Sequence, residues 1–182
     1  MNCLFITIIS YPFGGGEEFM FQCMRWCQSH GYQVIWLSFV DKYRKNHKRF
    51  KVRNYSEGIL VDIPNGYNET TIKTWIRLIK PMFINTQGID MVKIIQSVSY
   101  SLIPIICGYH FWTDLVDLNP STYNRDIMGN ISKHKISEGF KRIQSQPKVF
   151  PYVCSKFVSD VVKTVSNIQL PIVYASCNEE KI

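Results

Sequence analysis

Short apolar runs alternate along the chain with amphipathic stretches. Residues 3–10, "CLFITIIS", form an apolar, β-branched run typical of a strand buried on both faces. A helical stripe follows a glycine loop and consists of Phe19, Met20, Cys23, Met24 and Cys27. Gly31 is a candidate C-cap, and residues 32–39, "YQVIWLSF", form a second buried run. Strand, loop, helix and strand make a βαβ unit, which favours a parallel sheet.

The alternation continues to the end of the chain. Further strands are predicted at 58–63, 82–85, 103–110, 149–154 and 170–175. Helices are predicted at 70–80, 88–101, 137–146 and 156–167, the last with Ser155 as N-cap. Residues 113–135 are polar and predict a long loop. The pattern predicts one α/β domain over residues 1–182, with a Rossmann-like, doubly wound, mainly parallel sheet and helices on both faces.

The composition supports a folded, positively charged domain. Of the 182 residues, 46% are hydrophobic and 19% are charged, which is enough apolar material for a core. The net charge of +7 allows a nucleic acid, an anionic membrane or a phosphorylated ligand as partner and selects none of them. Residues 41–53, "DKYRKNHKRFKVR", carry seven of the basic side chains. We interpret this segment as a solvated loop, with anionic lipid or nucleic acid as alternative partners.

The cysteines and the apolar runs indicate a cytoplasmic protein. The six cysteines lie mostly in apolar runs without paired CxxC spacing, which is typical of reduced, buried thiols. Cys23 and Cys27 would share a helix face, but two zinc ligands do not make a site, so no metal is expected. The apolar N-terminus has no basic region before it and is interpreted as a strand rather than a signal peptide. No run has the length of a transmembrane helix.

Three consecutive glycines, Gly14, Gly15 and Gly16, lie between the first strand and the first helix. A helix N-terminus carries free N–H groups and partial positive charge, and glycines before it let a phosphate approach the backbone. The loop is neither a Walker A motif nor G-x-G-x-x-G. Three consecutive glycines after a buried first strand favour a loop that binds a phosphate or a sugar over a tight turn without a ligand.

Residues 11–39, "YPFGGGEEFMFQCMRWCQSHGYQVIWLSF", resemble the opening of a GT-B glycosyltransferase of the family-4 kind, which is retaining and uses nucleotide sugars. Later segments are similar to that family in the same order. They are "KPMFINTQG" (80–88), "IPIICGYHFWTDL" (103–115) and "VFPYVCSKFVSDVV" (149–162). Pro151 departs from the family pattern, which usually has an ordinary strand residue there, so the regularity of that strand is in doubt.

The resemblance implies two Rossmann-like domains that face each other across a cleft. The chain would be the N-terminal lobe, which mainly binds the acceptor, while the donor-binding C-terminal lobe of the same protein lies outside it. A hexosyltransferase function follows, with a nucleotide-sugar donor and a glycan, lipid or protein acceptor, no metal or other cofactor, and no nucleic acid. The chain alone is expected to be inactive. A cytoplasmic location is expected, with peripheral contact with the cytosolic face of an anionic membrane as an option.

The resemblance also assigns site residues. Gly14, Gly15 and Gly16 would offer N–H groups to the donor diphosphate. His110 would stand near the transferring sugar as a positioning or electrostatic group, with a purely structural histidine as the alternative. The candidate acceptor contacts, for which a structural role is an equal alternative, are Tyr11, Thr86, Trp112 and Asp114. Two other functions stay open: a basic α/β module that binds nucleic acid or membrane without catalysis, and a Rossmann-like domain that serves protein interaction.

Overall fold

The structure is a computed structural model of the 182-residue chain. The residues that it describes are 1–9, 15–40, 50–64, 68–87, 94, 95, 98, 102–110 and 137–174. The predicted loop at 113–135 and most of the basic segment at 41–49 therefore lie outside the described residues.

A seven-stranded sheet forms the centre of the molecule. Its strands are β1 (Asn2–Ile9), β2 (Gln33–Val40), β3 (Lys51–Tyr55), β4 (Gly58–Ile63), β5 (Ile84–Gln87), β6 (Ile105–Tyr109) and β7 (Val149–Val153). Their order across the sheet is β3-β4-β2-β1-β5-β6-β7, and only the β3–β4 pair is antiparallel. The six parallel strands have the order of Rossmann-like folds. The prediction of an α/β fold with a mainly parallel sheet is confirmed.

Helices connect the parallel strands. Those with described bounds are α1 (Gly15–Ser29), α2 (Glu69–Ile79), α3 (Glu138–Gln144) and α4 (Lys156–Ser166). Ile94, Ile95 and Val98 are also helical and buried, within the predicted helix at 88–101. The predicted N-cap of α4 is confirmed, because Ser155 Oγ accepts a hydrogen bond from the Val158 N–H at 3.3 Å.

The two faces of the sheet carry different helices. On one face, Met20 and Met24 of α1 lie in a cluster with Phe5 and Trp36. Buried side chains of α2, α3 and α4 belong to the larger cluster on the other face, exemplified by Ile72, Phe140 and Val162. Successive side chains of a strand point to opposite faces, so continuous apolar runs such as that of β1 supply both clusters. On the first face, α1 covers β1, β2 and β4.

The prediction of a loop over residues 41–53 is wrong at its end, because Lys51–Tyr55 is strand β3. This strand is polar and exposed, so it lacks the apolar run that marks the parallel strands. It pairs antiparallel with β4, and the Arg53 guanidinium donates to both carboxylate oxygens of the buried Asp62 at 2.7 Å. Backbone pairing at the edge of the sheet and this ion pair, rather than hydrophobic burial, define the strand.

Two other predicted strands are corrected. The strand expected at 82–85 lies at Ile84–Gln87, so its carboxyl end is two residues later. The strand expected at 170–175 is reduced to one parallel bridge between Val153 and Ile172. Pro151 lies in β7 and aligns with Cys107 of β6, so the strand is regular despite the proline. Because β7 is the edge strand, the missing N–H of proline can be tolerated there.

Candidate functional site

The carboxyl ends of the parallel strands meet at one edge of the sheet, and α1 begins at this same edge after β1. Strands are added outward from β1 in both directions, so the switch point of the topology lies between β1 and β5. Gln87 is the last residue of β5, and His110 directly follows β6. These residues therefore lie where ligands of open α/β sheets bind.

His110 is hydrogen-bonded to Gln87. The contact joins the imidazole Nε2 to the carboxamide Oε1. A carboxamide oxygen only accepts, so Nε2 must carry the hydrogen, and the neutral ring then has its acceptor nitrogen at Nδ1. The half-buried imidazole is thus held in one tautomer and orientation by the neighbouring strand.

Tyr152 of β7 makes a second hydrogen bond to the same oxygen. Its hydroxyl donates to Gln87 Oε1 at 3.2 Å. Burial is the main cause that raises the pKa of the Tyr152 hydroxyl well above its usual value, so the group stays protonated and remains a donor. Gln87 therefore accepts hydrogen bonds from the residue that follows β6 and from a residue of β7.

Gly108 makes the contact between Tyr152 and Gln87 possible. In the register of the sheet, Gly108 of β6 is paired with Gln87 on one side and with Tyr152 on the other. A Cβ atom added at Gly108 would be 2.5 Å from both Cζ and the hydroxyl oxygen of Tyr152. The missing side chain leaves the space in which the phenol crosses β6 to reach β5.

Phe19 of α1 closes this group from the helix side. Its ring lies edge-on to His110, with centroids 5.3 Å apart and an interplanar angle of 79°, and 6.0 Å from the Tyr152 ring. The His110 backbone carbonyl accepts a hydrogen bond from the Cys154 thiol at 3.4 Å. Contacts from α1, β5 and the end of β7 therefore fix His110.

The start of α1 precedes Phe19 by about one turn. Gly15 and Gly16 are its first two residues, and Phe19 is four residues after Gly15, which is about 6 Å along the helix axis. The Glu18 carboxylate near the helix start pairs with Arg25, seven residues later, at 3.0 Å. This ion pair lowers the repulsion that the carboxylate would exert on an anion at the helix N-terminus.

Four of the predicted site residues, Gly15, Gly16, Thr86 and His110, lie among the described residues. Gly15 and Gly16 begin the helix whose Phe19 contacts His110. Thr86 is fully buried within β5, one residue before Gln87, so its side chain is on the opposite face of the sheet. The other predicted site residues, Tyr11, Gly14, Trp112 and Asp114, lie outside the described residues.

Sequence reasoning missed the residues that hold His110. They are Phe19, Gln87, Gly108 and Tyr152. One signal was present, because a glycine inside a buried strand indicates a close approach by another group. The hydrogen bond between Gln87 and Tyr152 depends on the register of three strands, which the pattern of apolar and polar positions does not reveal.

The described part of the chain offers no metal cluster at this edge. No group of three or more His, Cys, Asp or Glu side chains that could hold a metal ion occurs among the described residues. Burial raises the pKa of Cys23, and of Cys107, to about 12, so both thiols stay protonated at neutral pH. The hydrogen-bonding groups that the described side chains bring together here are the His110 imidazole, the Gln87 amide and the Tyr152 phenol.

The comparisons with known proteins found no similarity in sequence: neither a protein-family model nor a curated protein matches the chain. No helix of the described residues is long and apolar enough to cross a membrane.

Proposed function

We propose that the chain is the acceptor-side domain of a nucleotide-sugar-dependent glycosyltransferase of the GT-B kind. The observation that carries this proposal is the hydrogen-bonded group of Gln87, His110 and Tyr152 at the carboxyl edge of the sheet. Such a group holds one imidazole in a fixed orientation at the edge where ligands of open α/β sheets bind. A preorganised group of this kind can stabilise the charge that develops as a sugar is transferred.

The topology supports the same proposal. In open α/β sheets, ligands bind outside the carboxyl ends of the strands at the switch point, and here β1, β5 and the start of α1 meet at that point. The first N–H groups of α1 are suited to bind the diphosphate of a donor. We assign these N–H groups, at Gly15 and Gly16, to the donor and His110 to the sugar.

His110 acts in this proposal as a positioning group. Its Nε2 is hydrogen-bonded to Gln87, and its ring makes a T-shaped contact with Phe19, so the imidazole is held in a fixed orientation. An oriented imidazole can hold a sugar near the bond that breaks and can stabilise developing charge. A second domain that faces this edge would supply most of the donor site, and the acceptor would be a glycan, lipid or protein.

Several of the described lysine and arginine side chains form ion pairs with carboxylates. This observation weakens the alternative in which the chain is a basic module that binds nucleic acid. The pairs are Arg53–Asp62, Lys73–Glu69, Lys141–Glu138 and Lys156–Asp160. Peripheral contact with an anionic membrane and a cytoplasmic location stay predictions, because most of the basic segment lies outside the described residues.

Calorimetry with two classes of ligand tests the proposal. UDP-glucose, UDP-N-acetylglucosamine and GDP-mannose are titrated into the chain, and duplex DNA is titrated at two salt concentrations. We expect one of the nucleotide sugars to bind weakly, because a second domain would supply most of the donor site, and we expect His110→Ala to lower this affinity about tenfold or more. His30→Ala is the matched control, since His30 stacks on Trp26 at the far end of α1.

DNA separates the proposal from the basic-module alternative. Affinity for duplex DNA that falls steeply with salt, without binding of any nucleotide sugar, is the signature of phosphate contacts by lysine and arginine. That outcome would contradict the proposed function and support the alternative.

A further inference from the structure

A cavity of about 450 Å³ lies between α1 and the sheet. On this face α1 covers only β1, β2 and β4, and none of the described helices covers β5, β6 and β7. The cavity is the space that this arrangement leaves beside α1. Asn85 of β5, Ile106 of β6 and Tyr152 of β7 form its floor, and Trp26 of α1 and Tyr174 form walls. The volume is within the range of about 300–1,000 Å³ that is usual for small-molecule sites.

The walls of the cavity are mainly apolar and aromatic, with Gln22 as a polar exception, and none of the described residues that line it is charged. A ligand with a formal charge would find no counter-ion among these residues and would lose part of its hydration. The lining therefore selects for an uncharged molecule with an aromatic or aliphatic body.

Asn85 is a polar residue of the cavity lining whose burial is not fully balanced by hydrogen bonds within the described part of the fold. Its side chain is 94% buried, since 6% of the residue is exposed, and its Oδ1 has no hydrogen-bond partner among the described residues. A buried acceptor without a partner lowers stability, whereas an apolar side chain of the same shape would not. The terminal amide can turn about χ2, a soft and roughly two-fold torsion, and so present its oxygen to the cavity.

We propose that this cavity is a binding site for a small, uncharged molecule that has an aromatic or aliphatic body and one hydroxyl or N–H group. The body lies against Trp26 and Ile106, and the hydroxyl or N–H donates to the Asn85 carboxamide. The site is on the face of the sheet, whereas His110 is at its edge. The proposal does not depend on the function proposed above.

The site shares two walls with the His110 group. Phe19 and Tyr152 line the cavity and also contact His110 and Gln87. A molecule in the cavity would therefore press on the two rings that hold His110. Occupancy is expected to change the environment of the imidazole without direct contact.

Equilibrium dialysis with two matched probes tests the site on the whole chain. The probes are 2-naphthol, which is uncharged at neutral pH and has a donor, and 2-methoxynaphthalene, which has a similar body and no donor. We expect one saturable site for 2-naphthol, with affinity at least fivefold above that for 2-methoxynaphthalene. Asn85→Leu should remove this preference, keep the binding of 2-methoxynaphthalene, and leave the melting temperature equal or higher.

A filling variant and its control locate the binding. Ile106→Trp places a large ring in the cavity and should weaken 2-naphthol binding at least tenfold. Phe150→Trp is the matched control, because Phe150 is paired with Ile106 on the same face but is outside the cavity lining and 56% exposed. It should change the affinity less than twofold.

Several results would overturn the proposal. They are an absence of saturable binding by 2-naphthol, equal affinity for the two probes in the unaltered chain, and undiminished binding by folded Ile106→Trp. Binding that disappears as the chain self-associates at higher concentration would also overturn it, because a second copy would then be the occupant. If Asn85→Leu fails to fold, the probe preference of the unaltered chain and the Ile106→Trp result decide the question.

Discussion

At the scale of single residues, Gly108 determines how far Tyr152 reaches across the sheet. A Cβ atom there would overlap the phenol ring, with 2.5 Å to Cζ and to the hydroxyl oxygen. We expect Gly108→Ala to displace the ring, break the hydrogen bond to Gln87 and lower the free energy of unfolding by about 1–3 kcal/mol. Urea unfolding followed by circular dichroism measures this change.

A double-mutant cycle supplies the control for Gly108→Ala. In a Tyr152→Leu background, the ring that meets the new methyl group is absent, so the same substitution should cost less than half as much. Equal costs in the two backgrounds would show that Tyr152 is not what the glycine accommodates.

Residues that act within one element were predictable from the sequence, and residues that act across strands were not. Ser155 was identified as an N-cap because a cap depends only on the residues that follow it. His110 was placed at the end of a strand by the apolar run before it. Its contact with Gln87 requires the alignment of β5 with β6. An apolar run predicts that a strand forms, but it does not predict the register of that strand with its neighbours.

At the scale of elements, two helices end in residues with left-handed backbone conformation. Lys80 after α2 has φ 48°, and Asn167 after α4 has φ 57°. The N–H groups of both residues donate to carbonyl groups of the last helical turn. Asparagine tolerates this conformation better than lysine does, so the first helix end carries the larger strain.

Lys80→Gly should stabilise the chain by about 0.5–1 kcal/mol, because glycine adopts positive φ without the Cβ clash. Asn167→Gly is the control and should gain less, since asparagine already fits. The midpoint of urea unfolding measures both changes. Destabilisation by Lys80→Gly, or a larger gain from Asn167→Gly, would contradict this explanation of the helix ends.

Elements with a strong apolar pattern were predicted, and the element formed by polar residues was missed. The runs of β1 and β2 and the stripe of α1 follow from burial, which the sequence displays directly. Strand β3 depends on its antiparallel partner and on the Arg53–Asp62 ion pair. Neither of these is visible in a pattern of apolar positions.

At the scale of the whole molecule, the alternation of strands and helices does not by itself determine the order of the strands in the sheet. The rules that govern connections between parallel strands are needed as well. Right-handed crossovers and short connections restrict six parallel strands to few arrangements, and the observed order is one of them. The chemistry of the edge depends on which strand ends become neighbours. The sequence pattern therefore predicted the place of the candidate site, while the three-dimensional structure was needed to identify Gln87, Tyr152 and Phe19.

The central claim is that His110 and the start of α1 form one ligand site for a nucleotide sugar. Nuclear magnetic resonance tests it most directly, with ¹⁵N-labelled chain and long-range spectra of the histidine rings recorded during titration with UDP-glucose, UDP-N-acetylglucosamine and GDP-mannose. Before addition, the His110 ring should show the tautomer with hydrogen on Nε2. With one of these ligands, the His110 ring and the backbone amides of Gly15 and Gly16 should shift together and saturably, while the ring of His30 at the far end of α1 stays unchanged. Unchanged His110 resonances with all three ligands, or shifts of His30 as large as those of His110, would contradict the account.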